Sequence, residues 1–381
     1  MANTITPSVI KQNNKKLIYR FIYKNRTVSQ QDIIYQLHLS RPTVTNKLAE
    51  LEAEGLILKG GPMETELVGR KALSYSIVPD YRIAIGVEIQ RNVVKMICVN
   101  LYGEYSHRTV LPMPFSNTPA YFDTLCHEIN SYIEQLSIDP ARVLGIGFSV
   151  LGLVSSDGTT ITYGEILNFT GLTTDIFRGR LNYPCRFFHD TASAAEAELW
   201  LSPETDAAMY LNISAYLGSA LIYNHKIVDG LHGHTGTVEH IRMRPGGKRC
   251  YCGKKGCMET LCSLNSLLGE TCTEASLDDF FTALRAGDPD IRARWNEYLK
   301  NLSQAINMMH LLYDTHYVLG GYLAPYLTDT DLQQIYAGVE LITPFTEPRD
   351  FLSVSKMPKH SITIGAALPF IRDFLENYAF A

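Results

Sequence analysis

Residues 240–259 read HIRMRPGGKRCYCGKKGCME. Cys250, Cys252 and Cys257 crowd together among glycines, lysines and arginines, and His240 precedes the first thiol by ten residues. Thiolates and imidazole are the ligand set of a closed tetrahedral zinc site, so His240, Cys250, Cys252 and Cys257 are the expected ligands of one Zn2+ ion. Gly253 and Gly256 free the backbone for the tight turns that aim neighbouring sulfurs at one point. Four protein ligands leave no open position for an activated water, so the metal is expected to be structural. Buried structural thiols sit among apolar neighbours, and C-x-C-x4-C between charges is a poor core pattern.

Spelled H-x6-G-x2-C-x-C-G-x2-G-C-x-E, the stretch resembles the signature of the ROK family, which contains sugar kinases and sugar-responsive repressors. His240, Gly247, Cys250, Cys252, Gly253, Gly256, Cys257 and Glu259 all fit it. One departure is Glu239, where the family usually has glycine before the histidine. The resemblance implies an α/β chain: an N-terminal winged helix-turn-helix, then a two-lobed body of actin-like ATPase (ribonuclease H-like) fold. A shared fold does not decide between the family's branches.

A chain of 381 residues suggests two or three domains. No apolar run approaches the ~20 residues of a membrane span, and the N-terminus lacks the apolar core of a secretory signal. Eight cysteines in so long a chain do not make a disulfide scaffold, which points to a reducing cytoplasm. Net charge is −5, unevenly spread. Residues 1–78 hold 11 basic against 6 acidic side chains, a balance of +5, which leaves −10 for the remainder. A basic head on an acidic body suggests that only the head meets a polyanion.

In the head, Ile10 to Tyr23 reads as a helix with Leu17, Ile18, Phe21 and Ile22 on one face. Ser29, with Asp32 three residues on, caps a second. Ser40 caps a third, with Pro42 in its first turn, Val44, Leu48 and Leu51 as its buried stripe, and Gly55 beyond its end. Two helices joined by so short a turn form a helix-turn-helix. Strands at Leu56–Leu58 and Ala72–Ile77 flank a wing with a basic tip. The base-facing residues of such a unit would be Ser40, Arg41, Thr43, Thr45, Asn46 and Lys47, with Arg70 and Lys71 on the wing. Its partner would be a double-stranded DNA operator; a small helical protein–protein module fits the same pattern. The segment SRPTVTNKLAELEAEGLI resembles the repressor branch.

Residues 79–200 are read as the first lobe, completed by a C-terminal helix over 362–381, and 201–361 as the second. Strands are expected at 83–89, 93–99, 143–150, 186–189, 209–213 and 219–224. An amphipathic helix spans 119–136, and Trp295, Leu299, Leu302, Ile306 and Met309 form the core stripe of a long one. The resemblance implies sugar contacts from Asn168, Asp190, His240 and Glu259. Asp190, at a strand end beside a cleft, suits a base that deprotonates a sugar hydroxyl, and equally the N-cap of the helix expected from Ser193.

Phosphoryl transfer relies on glycine-rich turns whose amides approach phosphate closely. The family's kinases carry D-x-G-G-T-K and G-T-G-x-G; this chain has Glu88-Ile89-Gln90-Arg91-Asn92-Val93 and Ser214-Ala215-Tyr216-Leu217-Gly218. Gln90, Arg91 and Tyr216 are expected where phosphates would lie. On the sugar side, the resemblance places asparagine at Ala192 and glutamate at Thr237. The expectation is a cytoplasmic repressor, not an enzyme, working as a homodimer or homotetramer and regulated by a sugar or sugar-derived effector. A body that only oligomerises, or a sugar kinase with an added head, are the alternatives.

Overall fold

The computed structural model describes residues 7–62, 73–269, 272–346, 348–357 and 359–378. The wing tip with Arg70 and Lys71 lies outside these residues.

The head comprises α1 (Pro7–Asn25), β1 (Val28–Ser29), α2 (Gln30–Leu37), α3 (Arg41–Ala53), β2 (Ile57–Pro62) and β3 (Leu73–Ile77). The expected caps form: Ser29 and Asp32 make a reciprocal capping box on α2, and Ser40 Oγ accepts from the Thr43 amide on α3. His38 takes the left-handed conformation that ends α2. Strand β1, not foreseen, pairs antiparallel with β3, so the wing sheet has three strands in the order β1-β3-β2.

The body is one design used twice. Strands β4 (Ile83–Ile89), β5 (Val93–Asn100) and β6 (Tyr105–Pro112) form an antiparallel meander. After α4 (Pro119–Gln135), strand β7 (Val143–Val150) pairs parallel to β4. The ribbon β8 (Leu153–Val154) and β9 (Ile161–Tyr163) stands apart, and β10 (Cys185–His189) joins β7, giving the order β10-β7-β4-β5-β6. Helix α5 (Asp190–Leu201) leads to the second sheet: β11 (Ala207–Ile213), β12 (Leu217–Tyr223) and β13 (Lys226–Ile227). The metal-type loop, α6 (Glu259–Cys262), α7 (Leu264–Leu268), α8 (Glu274–Ala286) and α9 (Pro289–His310) follow. Strand β14 (His316–Gly320), α10 (Asp329–Glu340) and β15 (Leu352–Val354) complete the order β13-β12-β11-β14-β15. In each sheet three antiparallel strands are extended by two parallel ones. Trp295, Leu299, Leu302, Ile306 and Met309 are all buried, as their spacing requires.

The last helix, α11 (Ser361–Tyr378), lies against the first sheet and α5. Three glycines permit the contact: a Cβ on Gly86, Gly147 or Gly365 would strike the backbone oxygen of Thr363, Ala366 or Ser193 respectively. Helix α5 begins at Asp190, earlier than expected, with His189 in the cap position. Asp190 is therefore the first helical residue and not the N-cap. Nearly every residue from Thr191 to Leu199 is buried, so the helix has no polar stripe to mark its start in sequence.

Head and body share a core. Ile18, Ile22 and Leu51 belong to the same apolar cluster as Ile97, Leu101, Leu368 and Ile371. The Tyr23 hydroxyl donates to the Leu101 carbonyl at 3.1 Å, the Tyr23 and Tyr102 rings stack, and Arg26 sits 3.5 Å above the Tyr102 ring.

Candidate functional site

The loop between β13 and α6 brings its thiols and imidazole together. His240, Cys250, Cys252 and Cys257 each offer one ligand atom, all within 4.8 Å of one another. Cys252 Sγ lies 3.8 Å from Cys257 Sγ, and Cys250 Sγ lies 3.8 Å from His240 Nδ1. A tetrahedral ion with metal–sulfur bonds of about 2.3 Å requires ligand edges of roughly 3.5–3.8 Å, so the donor set fits such an ion. Burial lowers the basicity of His240, favouring the neutral imidazole a metal needs. The loop backbone is turned by Gly246, Gly253 and Gly256 at positive φ. It closes through the Arg242–Cys257 and Arg249–Lys255 bridges.

Beside this loop opens a cavity of about 380 Å³, between the β8–β9 ribbon, the start of α5 and the β11–β12 turn. Asp190 and His240 line it. Asp190 Oδ1 accepts from the Thr191 amide at 2.7 Å and faces His189 Nε2 at 3.2 Å. Burial raises its carboxyl above the usual range, against the opposing pull of His189. Glu259 does not line the cavity. It is buried behind the wall, where its carboxylate accepts from the Leu217 amide at 2.7 Å, and burial pushes it up to about 7. Asn168 is exposed at a left-handed turn, outside the lining, while its neighbours Glu165 and Ile166 are part of it.

The cavity wall also contains residues that the sequence did not single out as contacts. Tyr216 meets Tyr251 edge-on, and Tyr251 meets the His240 ring in the same way. Tyr216 thus belongs to this wall, together with Leu217 and Gly218 of the second turn that the resemblance sets against phosphate. Glu239 lies in the lining, 8% exposed, with Oε1 3.7 Å from His240 Nε2, and burial pushes its carboxyl up to about 8. Its only flag in the sequence was standing where the family has glycine.

A second cluster ties the two sheets together. Gln90 Nε2, on the β4–β5 turn, donates to the Tyr322 hydroxyl at 2.6 Å, and Lys95 Nζ donates to the same hydroxyl at 2.7 Å. Lys95 pairs with buried Glu88, which accepts from Thr363 Oγ1 at 2.7 Å. Tyr322 follows β14, so the tie joins the two sheets at the turn expected to cradle phosphate. Gly321 is packed as well: a Cβ there would meet Asn212 Oδ1 and the Ile213 carbonyl at 2.6 Å. Arg91 reaches the Ile166 carbonyl at 3.0 Å.

On the head, Arg41, Thr45, Asn46 and Ser40 are exposed, with Thr43 and Lys47 half-buried. Thr45 Oγ1 accepts from Gln30 Nε2 at 2.6 Å, and Lys47 is paired to Glu50 at 2.6 Å. No described helix is long and apolar enough to cross a membrane.

A winged helix-turn-helix on a duplicated, two-sheet body with a cysteine–histidine loop defines the class. The ROK family model matches residues 84–368 and a winged helix-turn-helix DNA-binding model matches 12–57; the chain belongs to the ROK family. It is 24% identical over 265 residues to the xylose repressor of Caldicellulosiruptor bescii (68% of this chain, 66% of that protein). It is 28% identical over 260 residues to the DNA-binding transcriptional dual regulator NagC of Escherichia coli (strain K12) (66% of this chain, 63% of that protein). The match thus spans less than two thirds of either relative. A ROK family transcriptional regulator, described as a homologue of the E. coli MLC protein, superposes with a TM-score of 0.73, at 22% identity, over 97% of this chain and 98% of its own. A ROK family glucokinase from Streptomyces griseus, solved with glucose and AMPPNP, superposes on the body with a TM-score of 0.66, at 19% identity, over 75% of this chain and 98% of its own. Regulator and kinase therefore share this body, and the site must decide between them.

Proposed function

We propose that this chain is a sequence-specific DNA-binding repressor of sugar uptake or catabolism genes, working in the cytoplasm and controlled by a sugar-type effector bound in the cavity beside His240. Residues 1–78 form the reading head, 79–200 with the C-terminal helix the first lobe, and 201–361 the second. The carrying observation is the asymmetry of the cleft. Its first phosphate-type turn is tied across to the second lobe by Gln90, Lys95 and Tyr322, while a cavity lined by Asp190 and His240 stays open beside the second. A kinase needs both ends free for donor and acceptor; a sensor needs one. The relatives named as a xylose repressor and as a DNA-binding transcriptional dual regulator support the same reading.

Ser40, Arg41, Thr43, Thr45, Asn46 and Lys47 are the proposed base-facing set, with Arg70 and Lys71 on the wing. Asp190 and His240 contact the effector, Asn168 from the rim, and Glu259 acts through the Leu217 amide it holds. The ion in the His240, Cys250, Cys252 and Cys257 set is Zn2+, and its role is structural: it pins Glu239, His240 and Tyr251 to the cavity wall. A homodimer or homotetramer presents two heads. An effector that binds one head arrangement more tightly than the other shifts the population toward it, through α5, α11 and the core shared with α1.

Selection of binding sites from random double-stranded DNA tests this reading. The expected product is an enriched sequence with two similar half-sites centred about 10 base pairs, or a multiple of that, apart. A pool with no enriched sequence contradicts it.

A further inference from the structure

The cavity wall is rich in carboxyl groups. Glu165, Asp190 and Glu239 line it, and among the described lining residues none is lysine or arginine. Glu165 is exposed to water, and Asp190 has Thr191 and His189 as partners. Glu239 differs. More than nine-tenths of it is buried, its Oε1 is beyond hydrogen-bond distance from His240 Nε2, and its Oε2 accepts no hydrogen bond from any described residue. Buried carboxyl oxygens are normally hydrogen-bonded, so one left without a donor in a cavity wall points to a partner that arrives from outside. The metal does not supply it: three thiolates, one imidazole and a divalent cation sum to a charge of −1. The carboxylate's terminal torsion is soft, so either oxygen turns toward the cavity at little cost.

We infer that the effector is a free amino sugar, a polyhydroxy ring whose ammonium group pairs with Glu239. This rests on the cavity being the effector site and names the chemistry it selects. An ammonium brings three donors and a positive charge that favours the ionised carboxyl, making a charge-assisted bond in a site shielded from water. A neutral hexose brings only a hydroxyl to the same oxygen. An N-acetylated amino sugar has no charge at that nitrogen, and a sugar phosphate sets an anion among three carboxylates.

Calorimetric titration of the full-length, zinc-loaded protein at pH 7 with D-glucosamine, D-glucose, N-acetyl-D-glucosamine and D-glucosamine 6-phosphate decides the matter. Glucosamine is expected to bind at least about tenfold more tightly than the other three. In Glu239→Gln this preference should vanish while zinc content stays at one per chain. Because the substitution removes an unpaired buried carboxylate, the variant should melt no lower than the parent, and Glu239→Gly provides a second variant. Glucose bound as tightly as glucosamine, or an unchanged preference in both variants, overturns the inference and leaves the effector reading standing. Binding of none of the four sugars overturns both.

Discussion

Cys257→Ser is expected to destabilise the protein by more than about 4 kcal/mol, the range reserved for losing a metal or breaking a core. The reason is the poverty of the loop's other supports. Between Gly247 and Gly256 the chain is held mainly by backbone hydrogen bonds such as Cys250 N to the Lys254 carbonyl (2.8 Å) and Gly256 N to the Lys248 carbonyl (2.9 Å). Lys248, Arg249, Lys254 and Lys255 add charge, not apolar burial. An ion held there would be the loop's core, and its binding free energy would be folding free energy. Met258, fully buried, continues directly into the second lobe's apolar cluster, so disorder in the loop spreads inward. Thermal melts with and without chelator, read beside metal analysis, check this. Wild type should hold one zinc per chain and lose stability with chelator; Cys257→Ser should hold less and melt lower without chelator. A variant that melts with wild type denies the metal its structural role.

The second large effect concerns the head. Arg41→Ala should weaken binding to the selected DNA sequence by roughly 5- to 150-fold, the equivalent of about 1–3 kcal/mol for a bidentate base contact. Arg41 is exposed at the first turn of α3, where a recognition helix meets base edges. Asn46→Ala should act similarly, because Asn46 is also exposed. Lys47→Ala should cost less: Lys47 already pairs with Glu50, and recruiting it to DNA means breaking that pair. Mobility shifts on the selected sequence and on random DNA separate the cases. Arg41→Ala should lose specific binding and retain most of the non-specific binding; equal binding by all three variants contradicts the assignment.

Local signals carried the head and the metal loop. Ser29-x-x-Asp32, Ser40 and Pro42 encode caps within four residues, and the four candidate metal ligands span only eighteen. Strands at 83–89, 93–99, 143–150, 186–189, 209–213 and 219–224 were legible, whereas exposed β6 and the short β13 and β15 make no apolar run. What escaped lies in contacts between distant positions. Gln90 and Tyr322 are 232 residues apart, and neither residue advertises the other. The two-residue strand β1 depends on β3, far along the chain. The start of α5 was misplaced because burial on nearly every side erases periodicity. Glu259 matched a family contact by spacing, but folding turned its carboxylate to the Leu217 amide. A motif gives a residue's place along the chain, and its neighbours decide which way it points.

The most direct measurement is phosphoryl transfer itself. Purified, zinc-loaded protein is incubated with radiolabelled magnesium-ATP and each of the hexoses and hexosamines above, and the sugars are separated and counted. With Gln90, Lys95 and Tyr322 joined across the phosphate end, no labelled sugar should form above a protein-free blank, and ATP should give no heat of binding. Labelled sugar phosphate accumulating in proportion to protein would show the tie to be open and the body to be a catalyst.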